Sequence, residues 1–178
     1  MNYILFDGPS RNNLLPLTYT RPVAEIRVGV LTIREKWETF LHSTITTITE
    51  DYLSDKFPMV EFDENIFINA SFLPNPELVK LISNLKPNQS INSGDNLIAF
   101  YSNQSQEEID LDTFKKINFT TPLLQITCLT DIFKINSLAI KADYDLITNN
   151  RVSSKISNTN NLIHPENIFI EDGVSMEF

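Results

Sequence analysis

The sequence is poor in the residues that build covalent or metal-held frameworks. A single cysteine, Cys128, excludes an internal disulfide and a cysteine-built metal site, and fits a reducing compartment. The only two histidines, His42 and His164, stand far apart and in separate expected elements, which argues against a histidine-held metal or a catalytic triad. Long apolar runs are missing too. The opening "MNYILFDG" has no basic segment before its apolar stretch, which stops within a few residues, so neither a signal peptide nor a membrane span is expected, and no later run approaches spanning length. Positive charge is in deficit: 14 Lys and Arg against 23 Asp and Glu give a formal charge of -9. Such a chain repels nucleic acid and anionic membrane as bulk partners, so an anionic ligand has to be held by a local site. A cytoplasmic location is expected.

What is present is an ordinary globular composition, 42% hydrophobic and 21% charged, in 178 residues. That length suffices for one domain with a real core and a fragment of a second. Residues 3–6 read as a short buried strand that stops at Asp7-Gly8. "TIREKWETFLHS" has Thr32 as N-cap and Glu35 three residues on, a capping box, with Ile33, Trp37, Phe40 and Leu41 at helical spacing. "TITTI", residues 44–48, suits a strand, as does "NIFINASF", residues 65–72. Asn75 and Pro76 then open a helix, "DNLIAFYS" follows a Gly94 turn as a strand, and the segment from Thr130 carries helical periodicity. Strands alternating with helices predict an α/β sandwich with a mostly parallel sheet flanked by helices over residues 1–150. The acidic stretch 104–112, "QSQEEIDLD", reads as a solvated loop, with a lid as the alternative.

After Thr148 the composition turns polar, and "NNRVSSKISNTNN" reads as a linker. In "LIHPENIFIEDGVSMEF" the positions of Ile168, Ile170, Val174 and Met176 approach a six-residue period. Residues 151–178 are therefore expected to be a linker and the first coil of a hexapeptide-repeat β-helix that continues beyond this chain, with an ordinary hairpin as the alternative.

The cations concentrate where an α/β sheet binds ligands. "YILFDGPSRNNLLPLTYTRPVAEIR", residues 3–27, has no acidic residue between Asp7 and Glu25, and it places Gly8, Ser10, Arg11 and Arg21 behind the first strand. Loops at the carboxyl ends of such strands bind phosphate, glycine admits close backbone approach, and arginine offers a forked donor. Ion pairing of Arg11 or Arg21 with Asp7 or Glu25 is the plainer alternative, as is a turn-capping role for Asp7.

The order "LFDGPSRNNLLPLTYTRP" resembles the signature of sugar-1-phosphate nucleotidyltransferases, with Leu15-Pro16-Leu17-Thr18 matching its "PLT" part and Arg21-Pro22 in place of its proline-lysine pair. "LLPLTYTRPVAEIRVGVLTIREKWE" is similar to a divergent bacterial branch related to the bifunctional uridyltransferase-acetyltransferases, along nearly the whole chain. The resemblance implies a GT-A-like, Rossmann-like domain over residues 1–150 converting a nucleoside triphosphate and a sugar 1-phosphate to a sugar nucleotide and pyrophosphate, with magnesium as cofactor. It also implies a homo-oligomeric full-length protein. By motif position Arg11 and Arg21 would be catalytic, Asp7, Gly8, Ser10, Asn69 and Ser71 would contact nucleotide or substrate, and Asp7 would be the metal ligand. Two departures stand out: the loop has one glycine where the family has several, and "IFINASFL" ends in Asn69-Ala70-Ser71 where a Gly-Asp pair is usual. Asn69 and Ser71 read equally as capping residues. Alternative functions are therefore a nucleotide- or sugar-phosphate-binding module without turnover, and a scaffold for a C-terminal β-helix acyltransferase.

Overall fold

A computed structural model describes residues 1–103 and 109–176 of the chain. Residues 104–108, most of the acidic stretch read as a loop or lid, and residues 177 and 178 lie outside the described residues. Among the described residues six strands form one sheet: β1 (Asn2–Phe6), β2 (Thr46–Ile48), β3 (Asn65–Asn69), β4 (Gln89–Ser93), β5 (Asn96–Ser102) and β6 (Lys115–Asn118), in the order β2-β1-β3-β5-β4-β6. β1 runs parallel to β2 and β3, and β6 parallel to β4, while β5 is antiparallel to both its neighbours. The mostly parallel sheet is thus present with one strand reversed. The reversal is forced by the two-residue Gly94-Asp95 turn joining β4 to β5, where Gly94 has φ +58°, because a connection this short can only join antiparallel strands.

Four α-helices accompany the sheet: α1 (Ile33–Leu41), α2 (Asp51–Ser54), α3 (Pro76–Ser83) and α4 (Leu129–Thr148). The capping box of α1 forms as its sequence requires. Glu35 N–H donates to Thr32 Oγ1 at 3.2 Å, and Thr32 N–H donates to Glu35 Oε2 at 2.7 Å, which lowers the Glu35 pKa from its ordinary value. Asn75 caps α3 by accepting from Leu78 N–H at 2.8 Å. α4 starts two residues earlier than a cap at Thr130 would place it, with Cys128 as N-cap. The cause is Asp131, whose Oδ2 accepts from the Thr127 hydroxyl at 2.6 Å, the Thr127 N–H at 2.9 Å and the Cys128 N–H at 3.2 Å. These donors, the Thr127 hydroxyl foremost, hold the Asp131 pKa down at about 2.

The two sheet faces are covered differently. Alternating side chains send Leu5, Ile66, Ile68 and Tyr101 to one face, where Ile33 and Trp37 of α1, Leu78 and Ile82 of α3 and Ala139 of α4 complete the main core. Trp37 is 0% exposed, and its indole N–H donates to Phe72 O at 3.0 Å. On the other face Ile4, Phe67, Phe100 and Phe114 form a smaller cluster, with Phe6, Ile48 and Leu97 half-buried against it and no α-helical residue among them. Phe67 and Phe100 stack at 4.7 Å. Leu97 and Phe100, three residues apart in β5, share this face because a bulge intervenes: Ile91 pairs with Ala99 but Asn92 with Leu97.

Lys36 of α1 and Asp143 of α4 form a buried ion pair, 3% and 2% exposed. Asp143 also accepts from Val30 N–H at 2.8 Å and Leu31 N–H at 3.1 Å, and Asn136 accepts from Gly29 N–H at 2.8 Å. Burial pushes the Lys36 pKa down while Asp143 pulls it back. Gly29 is required here: its φ is +83°, and a Cβ would lie 2.5 Å from Asp143 Oδ2.

Residues 151–176 contain no strand, so the expected β-helix coil is not present as regular structure, and neither is the alternative hairpin. The segment folds back on itself through Ser154 N–H to Ile170 O at 2.9 Å and Ser154 Oγ to Asp172 Oδ1 at 2.7 Å. No helix among the described residues is long and apolar enough to cross a membrane.

Candidate functional site

The chain leaves β1 for β2 on one side and later returns to β3 on the other. β1 is therefore a topological switch point, where the loops after neighbouring parallel strands diverge and leave a crevice at their carboxyl ends. A cleft of about 660 Å³ lies there. Its polar wall is made by Asp7, Gly8, Pro9, Arg11 and Asn12 after β1 and by Thr49, Glu50 and Asp51 after β2. Its apolar floor runs along the less covered sheet face through Phe6, Ile48, Phe67, Leu97 and Phe100, to Ile109 and Leu111.

Asp7 organises this end of the sheet. Its Oδ2 accepts from Arg11 Nη1 at 2.6 Å and from the Thr49 hydroxyl at 2.7 Å, and its Oδ1 accepts from Val23 N–H at 2.7 Å. Arg11, 8% exposed, is equally engaged. Nη1 donates to Asp7 and, at 3.3 Å, to Thr49 Oγ1; Nη2 donates to Thr18 O at 2.6 Å and Tyr52 Oη at 3.0 Å. Nε faces Glu50 Oε1 at 3.3 Å. Nη1 and Nη2 thus each donate to two protein oxygens, while Nε meets Glu50 as an ion pair and makes no hydrogen bond. Thr18 returns the contact, its hydroxyl donating to Arg11 O at 2.9 Å. The "PLT" part of the motif, which includes a cis Leu15–Pro16 peptide, is thereby strapped to the loop.

Gly8 packs directly on Asn69. A Cβ at Gly8 would meet the Asn69 amide at 2.6 to 2.9 Å, so the one glycine of the loop serves close approach between the ends of β1 and β3. Asn69 in turn accepts from Ser71 N–H at 3.0 Å and Ser71 Oγ at 2.9 Å, and donates to Leu97 O at 3.0 Å. Gln125 Nε2 donates to Ser71 Oγ at 3.1 Å. Of the residues singled out in the sequence, Asp7, Gly8 and Arg11 line the cleft, and Asn69 backs Gly8. Ser71 is buried behind Asn69, and Ser10 is buried in the first turn after Gly8, outside the cleft lining. Arg21 is exposed, away from the cleft lining, and has no hydrogen bond or ion pair among the described residues.

Sequence reasoning passed over Thr49, Glu50 and Tyr52 after β2, and over the phenylalanine floor. The first group was findable: loops after parallel neighbours lie at the same sheet end, and "TITTI" runs straight into "TED". The floor was not, because it draws on three strands whose pairing depends on an unforeseen hairpin.

The residues present do not fit a protein-held magnesium ion. Three of the acceptor positions of Asp7 are used by protein donors, and Asn69 spends its oxygen on Ser71. No group of three or more His, Cys, Asp or Glu side chains among the described residues could hold a metal, whereas magnesium favours carboxylate and phosphate oxygens in an octahedral shell.

A mostly parallel, open α/β sheet with its crevice at the β1 switch point places the chain among the open-sheet α/β domains that take ligands at strand carboxyl ends. More narrowly, the chain belongs to the sugar nucleotidyl transferase family, whose model matches residues 3–152. Among solved structures it is similar to a provisionally assigned glucose-1-phosphate thymidylyltransferase from Bacillus anthracis, solved in complex with sucrose. The identity is 11% and the TM-score 0.48, over 79% of this chain and 95% of that one. It is also similar to the CTP:phosphocholine cytidylyltransferase of Streptococcus pneumoniae, at 13% identity and TM-score 0.41, over 77% of this chain and 98% of that one. No curated protein matches the chain.

Proposed function

We propose that the cleft at the β1 switch point binds a nucleoside triphosphate and a sugar 1-phosphate, and that the chain transfers the nucleotidyl group between them. The observation that supports this reading is the convergence of the Asp7–Asn12 loop and Arg11 with the Thr49–Asp51 segment in one cleft at the carboxyl ends of β1 and β2. In the reaction an oxygen of the sugar phosphate attacks the α-phosphorus in line, and the bond to the β-phosphate oxygen breaks to release pyrophosphate. Positioning and charge carry such a transfer, since little covalent work falls to the protein. In this reading Gly8 and its loop bring backbone close to the phosphates, and exposed Arg21 offers an uncommitted fork. Magnesium, expected from the family resemblance, is proposed to be held by the triphosphate's own oxygens.

A second reading, binding without turnover, is favoured by the commitment of Arg11 Nη1 and Nη2 to protein oxygens and by Asn69 at the end of β3. One experiment separates the two. The full chain is incubated with each nucleoside triphosphate, magnesium and a panel of sugar 1-phosphates, pyrophosphate release is measured, and nucleotide binding is followed by calorimetry. Turnover with one pair supports transfer, binding without release supports the second reading, and absence of both overturns the placement of the site.

For residues 151–176 we retain the β-helix reading, and with it the scaffold role and homo-oligomerisation. Its support is the fold-back contact from Ser154 to Asp172, whose spacing of 18 residues is a multiple of the six-residue period.

A further inference from the structure

The Arg11 donors divide into two sets. Asp7 and Thr18 O are structural partners: they come from the end of β1 and from the strapped "PLT" turn, at 2.6 Å each. The partners contributed by the segment after β2 are different. Glu50 on Nε has a side chain 55% exposed, and Tyr52, whose hydroxyl receives Nη2, is 62% exposed. Nε and one Nη2 proton lie along one edge of the guanidinium, the edge that grips two oxygens of a carboxylate or phosphate at once. Two exposed groups, two residues apart in sequence, meet these two nitrogens, Glu50 as an ion pair on Nε and Tyr52 as a hydrogen-bond acceptor on Nη2. The rest of the polar wall is acidic: Asp7, Glu50 and Asp51 outnumber Arg11.

We propose that Glu50 and Tyr52 are internal stand-ins for a phosphoryl group, so that an oxyanion binds Arg11 by displacing them, and that these two residues set the affinity of the cleft for phosphate. The proposal rests on the reading of the cleft as a phosphate site. It explains how an arginine already occupied by protein partners still serves an anion: the ligand inherits a fork oriented by Asp7 and Thr18, and the displaced carboxylate and hydroxyl return to water, where both are already largely exposed. Exchange of this kind is cheap for exposed groups and costly for buried ones, so only the Glu50 and Tyr52 edge is open to it.

The test is calorimetric titration of the full chain with inorganic pyrophosphate at low ionic strength. Glu50→Gln is expected to bind about fivefold more tightly than the parent, the upper range for loss of an exposed competing ion pair, and Tyr52→Phe about twofold more tightly. Asp51→Asn removes the same charge from the same wall without touching Arg11, and is expected to change affinity by less than about twofold at the same salt. The proposal is overturned if Glu50→Gln binds no more tightly than the parent, or if Asp51→Asn matches its gain, which would make the effect one of general field. If neither parent nor Glu50→Gln binds pyrophosphate or any nucleoside triphosphate, the phosphate-site reading itself falls. Parent binding that Glu50→Gln leaves unchanged sinks only the displacement. All three variants sit at exposed side chains, so their folding is not at issue.

Discussion

The two faces of the sheet are built from the same strands and come out differently. One is sealed by α1, α3 and α4 around Trp37, with Ile33, Leu78 and Ile82 fully buried. The other carries four phenylalanines and no α-helical residue in its cluster, and its surface continues into the cleft. The difference teaches where function can be placed: half-buried Phe6, Ile48 and Leu97 still have apolar area to bury against a ligand in the cleft, whereas Ile33, Trp37, Leu78 and Ile82 on the sealed face are fully covered by their neighbours.

That contrast is open to direct attack, and the largest effects belong to the sealed face. Trp37→Ala is expected to cost about 3 to 5 kcal/mol of stability in urea unfolding, because it removes a fully buried ring and leaves Phe72 O without its donor. Lys36→Met should cost a similar amount, about 3 to 5 kcal/mol, by stranding Asp143 in the interior. A loss under about 1 kcal/mol for either would mean that this face is looser than its burial implies. Gly8→Ala comes next, at about 1 to 3 kcal/mol, since its methyl group must push the Asn69 amide aside; nucleotide binding should fall with it. Phe6→Ala on the open face should cost only about 1 to 2 kcal/mol, because the ring is half-buried. Its clearer effect should be weaker ligand binding in the calorimetric titration.

The smallest effect is one of pH. Asp131 has a folded pKa of about 2 against an ordinary 3.8, so the stability it contributes is present above pH 3.8 and is lost as pH falls toward 2. Asp131→Asn should therefore flatten the acid limb of the stability profile between those values while leaving the two faces unequal. An unchanged limb would show that the Thr127 and Cys128 donors do not hold this carboxylate in solution.

How far the sequence told all this depended on the range of the forces involved. The ends of α1 and α3 were legible because capping is local: Thr32 with Glu35, and Asn75 with Leu78, lie three residues apart. The start of α4 was misplaced within the same range, since both Thr130 and Asp131 are capping residue types and only geometry shows that Asp131 collects three donors. β4 and β6 were missed because "QSINS" and "KKIN" have few apolar residues and take their strand form from partners elsewhere. In the site, Asp7, Gly8 and Arg11 were found from motif order. What motif order could not supply was the use each is put to. Gly8 is fixed by a contact 61 positions away, and Arg11 is spent on residues from three separate segments.

The Lys36–Asp143 pair sets a condition on the order in which this chain can be completed. During synthesis, Lys36 and the backbone of residues 29–31 are made more than a hundred residues before the carboxylate that receives them. Until Asp143 emerges, the lysine must stay in water, because an ammonium without its counter-ion will not enter the interior. α1 therefore cannot settle against the sheet on its own schedule. A fragment of this domain ending short of residue 143 lacks the counter-ion that Lys36 meets in the folded chain, and is not a smaller version of the domain but an unfinished one.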